Sequence, residues 1–319
     1  MLTTDGPRHL QNDKMRWHSI IMKKYLSIGG LKISLEYETG PYEVFLEKAL
    51  EEFSSVPFEH PDIRFRVDTT SPFPKLDPYR QIFTSAPDGL WTILEDQEKS
   101  HYVIFLRNAE KDAAPYRMMR ADRKFADFII YIRPNQEGSL SPLEYPVADL
   151  ALSGHINVNK IGIMLHSACI SLEGKAYLFA GVSGAGKSTI SEIWQKDGEA
   201  EVLTDERVLI RKLNGNIWAF GTPWHGTSEI HKNMGAPVEK IFFIRHGKEN
   251  RSILISKTDA VNRLVVRCFP TFWNREGMEF ALEFCSLVAQ TKGCHDFQFV
   301  PDHSAASFVR KLDEGKQLS

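Results

Sequence analysis

The sequence predicts an α/β protein, α+β overall, in which a P-loop-containing C-terminal domain follows a β-rich N-terminal one. Three observations carry that expectation. The first third reads as short alternating strands broken by glycine and charged turns, and Gly181–Ser188 stands between an apolar strand and an amphipathic helix. Between the two halves, Pro134–Pro142 carries Asn135, Gly138 and Ser139, the composition of a linker. The division expected is a loose leader over 1–23, a β-rich domain over 24–140 and a phosphate-loop domain over 141–319, with Met15 or Met22 as alternative starts.

Taken in order, Tyr25–Ile28 and Leu31–Leu35 flank Gly29-Gly30 as a hairpin, and Tyr42–Phe53 has the spacing of a helix. Ile63–Val67 alternates strictly, Leu90–Glu95 and Tyr102–Leu106 pair around the charged turn 96–100, and Phe128–Ile132 is apolar throughout. Apolar residues at Val147, Leu150, Ile156 and Ile161 predict a helix within 145–164. Ala168–Leu172 and Ala176–Ala180 form a hairpin around Glu173-Gly174, and a helix over Lys187–Asp197 stops before Gly198. Val202–Glu206 reads as a strand ending in carboxylates, and Asn214-Gly215 is the preferred turn pair between Arg207–Leu213 and Asn216–Phe220. Ile241–Ile244 is a buried strand, Thr258 caps a helix to Cys268, and Glu276–Thr291 forms a longer amphipathic helix. Phe297–Val300 is a last strand, and Asp302 caps a helix over Ser304–Leu312.

Composition removes several classes of function. The chain has 319 residues, 42% of them apolar, and a net charge of −2, so no global field favours nucleic acid or an anionic membrane. No apolar run approaches the ~18–20 residues of a membrane span, and Met1–Trp17 lacks the apolar centre of a secretory signal. Cys169, Cys268, Cys285 and Cys294 form no C-x-x-C pair, which points to reduced, mostly buried thiols and a cytoplasmic setting. Cys294-His295 has no second pair at ligand spacing and reads as the start of a strand.

Gly181-Val182-Ser183-Gly184-Ala185-Gly186-Lys187-Ser188 fits the phosphate-binding pattern G-x-x-x-x-G-K-S/T at every fixed position, in the strand–loop–helix context the pattern needs. Glycines let successive backbone N–H groups turn toward phosphate oxygens, and the helix N-terminus behind them adds its positive dipole end. The expected contacts to a nucleoside triphosphate are Gly181, Ser183, Gly184, Ala185, Gly186, Lys187, Ser188 and Thr189, with Lys187 on the β and γ phosphates and Ser188 on magnesium. Asp205 and Glu206 end the next strand, which places them beside the phosphates as magnesium ligands or as the base for an attacking hydroxyl. His166, fifteen residues before Gly181, lies on a hairpin strand that can return it to the same place, where it would tune the carboxylate. Gly221–Thr227, with Trp224 and His225, is a Gly/Pro/aromatic loop fit to touch an acceptor or cover the γ phosphate, or to serve as a packing turn. Arg245, Lys248 and Arg251 are candidates to neutralise transferring phosphate or simply a solvated basic loop, and Phe269–Trp273 reads as a packed corner more than an adenine platform.

Together His166, Gly181–Ser188 and Leu203–Glu206 resemble the HPr kinase/phosphorylase-like kinases, whose core is also similar to ATP-dependent phosphoenolpyruvate carboxykinase; the likeness covers about 145–312. The resemblance implies ATP and Mg2+, with Asp205 as catalytic base or metal ligand and Glu206 and His166 as its neighbours. Thr189 stands where HPr kinases carry glutamate, and their E-I/L-R-G-x-G segment is replaced here by the Gly221–Gly226 loop, so HPr itself is not the implied acceptor. The Thr-Pro-Trp-His-Gly loop, the Phe-Pro-x-Phe-Trp corner and the β-rich front half are more similar to stand-alone members beside ribosomally made peptides, nearest the lasso peptide precursor kinases. The function implied is transfer of a γ-phosphoryl group to a serine of a peptide or small protein, with no nucleic acid, no membrane and homo-oligomerisation left open. A small-molecule kinase or carboxykinase-like enzyme, and a non-catalytic ATP sensor, are the competing expectations.

Overall fold

The computed structural model describes residues 19–85, 89–107 and 115–313, so the expected leader lies outside it up to residue 18. The Gly29-Gly30 turn, with φ of +57° and +78°, joins β1 (Ile21–Ile28) to β2 (Leu31–Glu38) with Ile28 opposite Leu31. Ile21–Lys23 thus belong to a strand, not to the leader. Where a helix over 42–53 is expected, only β3 (Glu43–Val44) and one turn, α1 (Lys48–Glu51), form. The Glu43 and Phe45 amides instead donate to Gly138 and Leu140 carbonyls, both at 3.0 Å, which denies them to a helix.

β4 (Ile63–Asp68), β5 (Tyr79–Thr84), β6 (Trp91–Asp96), β7 (His101–Leu106), β8 (Arg117–Asp122) and β9 (Asp127–Tyr131) complete an eight-stranded sheet in the order β1-β2-β4-β9-β8-β7-β6-β5. β10 (Ser139–Leu140), inside the expected linker, pairs with β3. α2 (Val147–Val158) is buried from Val147 to Asn157. It stops short of residue 164 because Lys160 turns to φ +56° and Ile161 N–H bonds back to the Ile156 carbonyl at 2.8 Å, a left-handed cap that satisfies the last carbonyls.

β11 (Gly162–Leu172) is the spine of the second sheet. It pairs with β14 (Arg207–Leu213) along Gly162–His166, then with β12 (Lys175–Ala180) and β13 (Glu201–Thr204) along its second half. α3 (Lys187–Asp197) lies between β12 and β13, flanked by Gly186 and Gly198 with φ of +102° and +77°. β15 (Asn216–Phe220), β16 (Gly235–His246), β17 (Arg251–Leu254), α4 (Lys257–Val265), α5 (Arg275–Thr291), β18 (Gly293–Phe299) and α6 (Ser304–Asp313) follow. The cap of α4 is Ser256, not Thr258: Ser256 Oγ accepts from Asp259 N at 3.2 Å. β12, β16 and β18 run parallel, so their carboxyl ends open on one edge, where ligand sites of such sheets gather.

One apolar core joins the two sheets. It runs from Leu26 and Phe65 in the first sheet through α2 to Leu209 and Trp224, continuous across residue 140. A Cβ on Gly29 would stand 2.3 Å from Leu209 Cδ2, and Arg211 Nη1 donates to the Gly29 carbonyl at 2.5 Å, so the first hairpin is seated on β14.

Candidate functional site

β12 ends at Ala180, and the chain turns through 181–186 into α3. Gly184, at φ +77°, has nothing within 4 Å of where a Cβ would sit, whereas a Cβ on Gly186 would lie 2.7 Å from Phe299 Cζ and 2.9 Å from His246 Cε1. Gly184 therefore faces open space and Gly186 close packing. At the start of the loop, a Gly181 Cβ would lie 2.6 Å from the Ala185 methyl. Lys187 is 7% exposed, and its Nζ lies 3.3 Å from the Gly181 carbonyl and 3.5 Å from that of Val182. Burial pulls its pKa below the ordinary lysine value, opposed by the charges of Glu206 and Asp205. Ser183, Ser188 and Thr189 line the same cavity of about 530 Å³ as Gly184, Gly186 and Lys187.

The acidic pair divides. β13 stops at Thr204, so Asp205 and Glu206 form a bend rather than a strand end. Asp205 is 0% exposed; its Oδ1 accepts from Gly226 N at 2.8 Å and its Oδ2 from Ser228 N at 3.0 Å. Asp205 thus holds the Gly226 and Ser228 amides and is not among the residues that line the cavity. Glu206 lines the cavity instead, with Oε1 3.1 Å from His166 Nε2. That contact, more than the Lys187 and Arg207 charges, holds the Glu206 carboxyl below its ordinary range, against burial. Register explains the meeting: His166 is the last β11 residue opposite β14, facing Arg207, and Ser167 N–H donates to the Glu206 carbonyl at 3.0 Å. Arg207 turns away, onto Asp149 and the Tyr145 hydroxyl.

The 221–228 loop reaches the start of α3 behind the glycine loop, for Thr227 Oγ1 donates to Ser188 Oγ at 3.2 Å. His225 lines the cavity and stacks on His231 at 5.1 Å, whereas Trp224 is buried in the shared core. Arg245 does not reach the cavity: it bonds Gln298 Oε1 at 2.5 Å and Asp296 Oδ2 at 3.3 Å. Lys248 and Arg251 are likewise outside it. His246, which sequence reasoning missed, lines it instead. Neighbours on a strand face opposite ways, and the signal was its place at the end of β16, the strand parallel to β12. Phe269–Trp273 is a packed corner, with Trp273 6.0 Å from Phe125 of the first half.

A larger groove, about 750 Å³, adjoins this cavity; Glu206 and His225 line both, and Glu47, Lys48 and Glu52 form its N-terminal wall. Among the described residues no three His, Cys, Asp or Glu side chains cluster as a metal site. Ser188 Oγ and the Glu206 carboxylate are hard oxygen donors in one cavity, and magnesium needs no more, since phosphate and water complete its shell.

No family model and no curated protein matches the chain. Among solved structures, the HPr(Ser) kinase/phosphatase from Coxiella burnetii is similar over 48% of this chain and 94% of its own, at 11% identity and a TM-score of 0.27. The chain is a mixed α/β protein with large β-sheets and six helices among the described residues, none of them long and apolar enough to cross a membrane.

Proposed function

We propose that the chain is an ATP- and Mg2+-dependent kinase that moves the γ-phosphoryl group to a serine hydroxyl of a peptide, a tailoring enzyme for a ribosomally made precursor of the lasso class. The observation that carries the reading is one cavity lined by the glycine loop, Lys187, Ser188 and the Glu206–His166 pair. Phosphoryl transfer asks the protein for positioning and charge, and these residues supply both. Loop amides and Lys187 would hold the phosphates, and the Ser188 hydroxyl, with phosphate and water, would hold magnesium to neutralise charge developing on the phosphate. Glu206, oriented by His166, is placed to accept the serine proton, and Asp205 keeps the 226–228 amides in line. The adjoining groove, about 750 Å³, has room for more than a bare hydroxyl and admits a short peptide segment as well as a metabolite. Four buried, unpaired cysteines suit the cytoplasm, where ATP is abundant.

The test is incubation of the purified chain with γ-labelled ATP, magnesium and separate pools of serine peptides and hydroxylated metabolites. Label on phosphoserine is the expected result. Label confined to metabolites, or ATP retained for hours without turnover, would remove the peptide-kinase reading in favour of its rivals.

A further inference from the structure

The cavity of the glycine loop has two ends. Glu206 and His225 line both the cavity and the large groove, so they mark the end that opens toward an acceptor. Gly186, Thr189 and His246 line the cavity only, and His246 has no part in the chemistry above. It is the last residue of β16, which runs parallel to β12, the strand that delivers the loop. Phe242 and Ile244 of β16 belong to the core that holds α3 and α6, and His246, two residues on, takes the same side of the sheet.

Packing fixes this side chain. Its backbone pairs with Phe299 of β18, the next amide, Gly247 N–H, donates to the Phe299 carbonyl at 2.9 Å, and the Phe299 ring centroid lies 5.0 Å from that of the imidazole. The ring edge that carries Cε1 and Nε2 turns toward Gly186, for both atoms lie 2.9 Å from where a Gly186 Cβ would stand. A half-turn of the ring exchanges those two atoms, so a nitrogen faces Gly186 in either orientation. The neighbouring Arg245 is engaged by Gln298 and Asp296, whereas no side chain among the described residues bonds the exposed His246 imidazole.

Gly186 caps α3, where unpaired N–H groups and the positive end of the helix dipole collect an anion. A ring nitrogen held at the edge of that anion site is placed to donate to a phosphate oxygen, and an imidazole N–H does so in the neutral or the charged form. The edge, not the ring face, meets the loop, so the position offers a hydrogen bond and not a platform for a nucleobase. We infer that His246 donates to a phosphate of the nucleotide that is not transferred, one that ADP keeps; this rests on the kinase reading above, which sets the γ-phosphate at the Glu206 end. The contact is the same before and after transfer. It therefore lowers the KM for ATP and leaves the chemical step alone.

ATP, ADP and adenosine are titrated calorimetrically, with magnesium, into the full chain and into His246→Gln, His246→Leu and His246→Ala. Glutamine keeps an N–H donor, leucine keeps bulk without one, and alanine at this exposed position clashes with nothing. The Leu and Ala variants weaken ATP and ADP alike by about tenfold and leave adenosine unchanged, and Gln recovers most of the loss. Melting curves without nucleotide match the wild type and separate a lost contact from a lost fold. Undiminished ADP affinity in the Leu and Ala variants, a loss confined to ATP, or an equal loss for adenosine overturns the assignment. With serine peptides as acceptors, the same two variants raise the KM for ATP about tenfold and hold kcat within about twofold; a fall in kcat at constant KM also overturns it. If the wild type binds ADP in a His246-dependent way yet transfers no phosphate, the phosphate contact stands and the kinase reading falls. If it phosphorylates peptides while the Leu and Ala variants bind nucleotide normally, the kinase reading stands and the contact falls. A wild-type chain that binds neither nucleotide removes both.

Discussion

Asp205 and Glu206 are adjacent, yet their side chains meet opposite fates, and that divergence makes the roles separable by substitution. Glu206→Gln keeps the shape and removes the charge facing the phosphate cavity. The expected loss in kcat is ~10²–10⁴-fold with the melting temperature close to wild type, because a general base contributes on that order. Asp205→Asn must aim an amide N–H at one of two backbone donors, so stability falls by roughly 1.5–3 kcal/mol alongside activity. Urea unfolding of the two variants checks this; an Asp205→Asn protein of undiminished stability would refute the positioning role. Lys187→Ala is expected to lose ~10²–10³-fold in rate and most affinity for ATP, read by nucleotide titration. The pattern G-x-x-x-x-G-K-S made Lys187 and Ser188 legible in sequence, but no periodicity could say which carboxylate faces inward, since β13 ends before either and the alternation of a strand no longer applies.

The loop and helix that carry the site were the most legible elements, because punctuation fixes them: left-handed glycines bracket α3 on both sides. They also invite a paired test. Gly186→Ala forces strain at φ +102° and a clash with Phe299 and His246, so both stability, by ~1–3 kcal/mol, and ATP binding fall. Gly184→Ala meets no clash and carries only the strain of φ +77°, so its stability loss, ~1 kcal/mol, is smaller than that of Gly186→Ala, measured by melting with and without ATP. Less legible were β5 and β8, whose sequences YRQIFT and RMMRAD mix charges into the strand, and the helix over 42–53, which long-range pairing with β10 overrides. At the far end, α6 is tied down by Asp313. Burial alone would raise its carboxyl, but Lys240, Tyr177 and Lys175 draw it down to about 2. A depressed carboxylate contributes stability above its unfolded value, about 3.9, and loses it as pH falls through the folded one. Asp313→Asn should therefore flatten the acid-denaturation curve between about pH 4 and 2.

At the scale of the molecule, the unbroken core from the first hairpin through α2 to Trp224 predicts a single unfolding transition. Far-UV circular dichroism and tryptophan fluorescence should trace the same urea curve; two separated curves would mean that the halves are stable alone. The shared core was not legible, because composition marked Pro134–Pro142 as a linker while the contacts that bridge it, such as Arg211 to Gly29, are long-range.

β11 grips β14 with its front half and β12 and β13 with its rear, passing from one set to the other at His166. One continuous strand thus sets the span between the Glu206–His166 corner and the glycine loop that follows β12. On the kinase reading proposed above, acceptor recognition would fall to the α1 turn and the groove wall of 229–232. New acceptors would then be engineered at Glu47, Lys48 and Glu52, which lie outside the cavity of the glycine loop, without retuning that span.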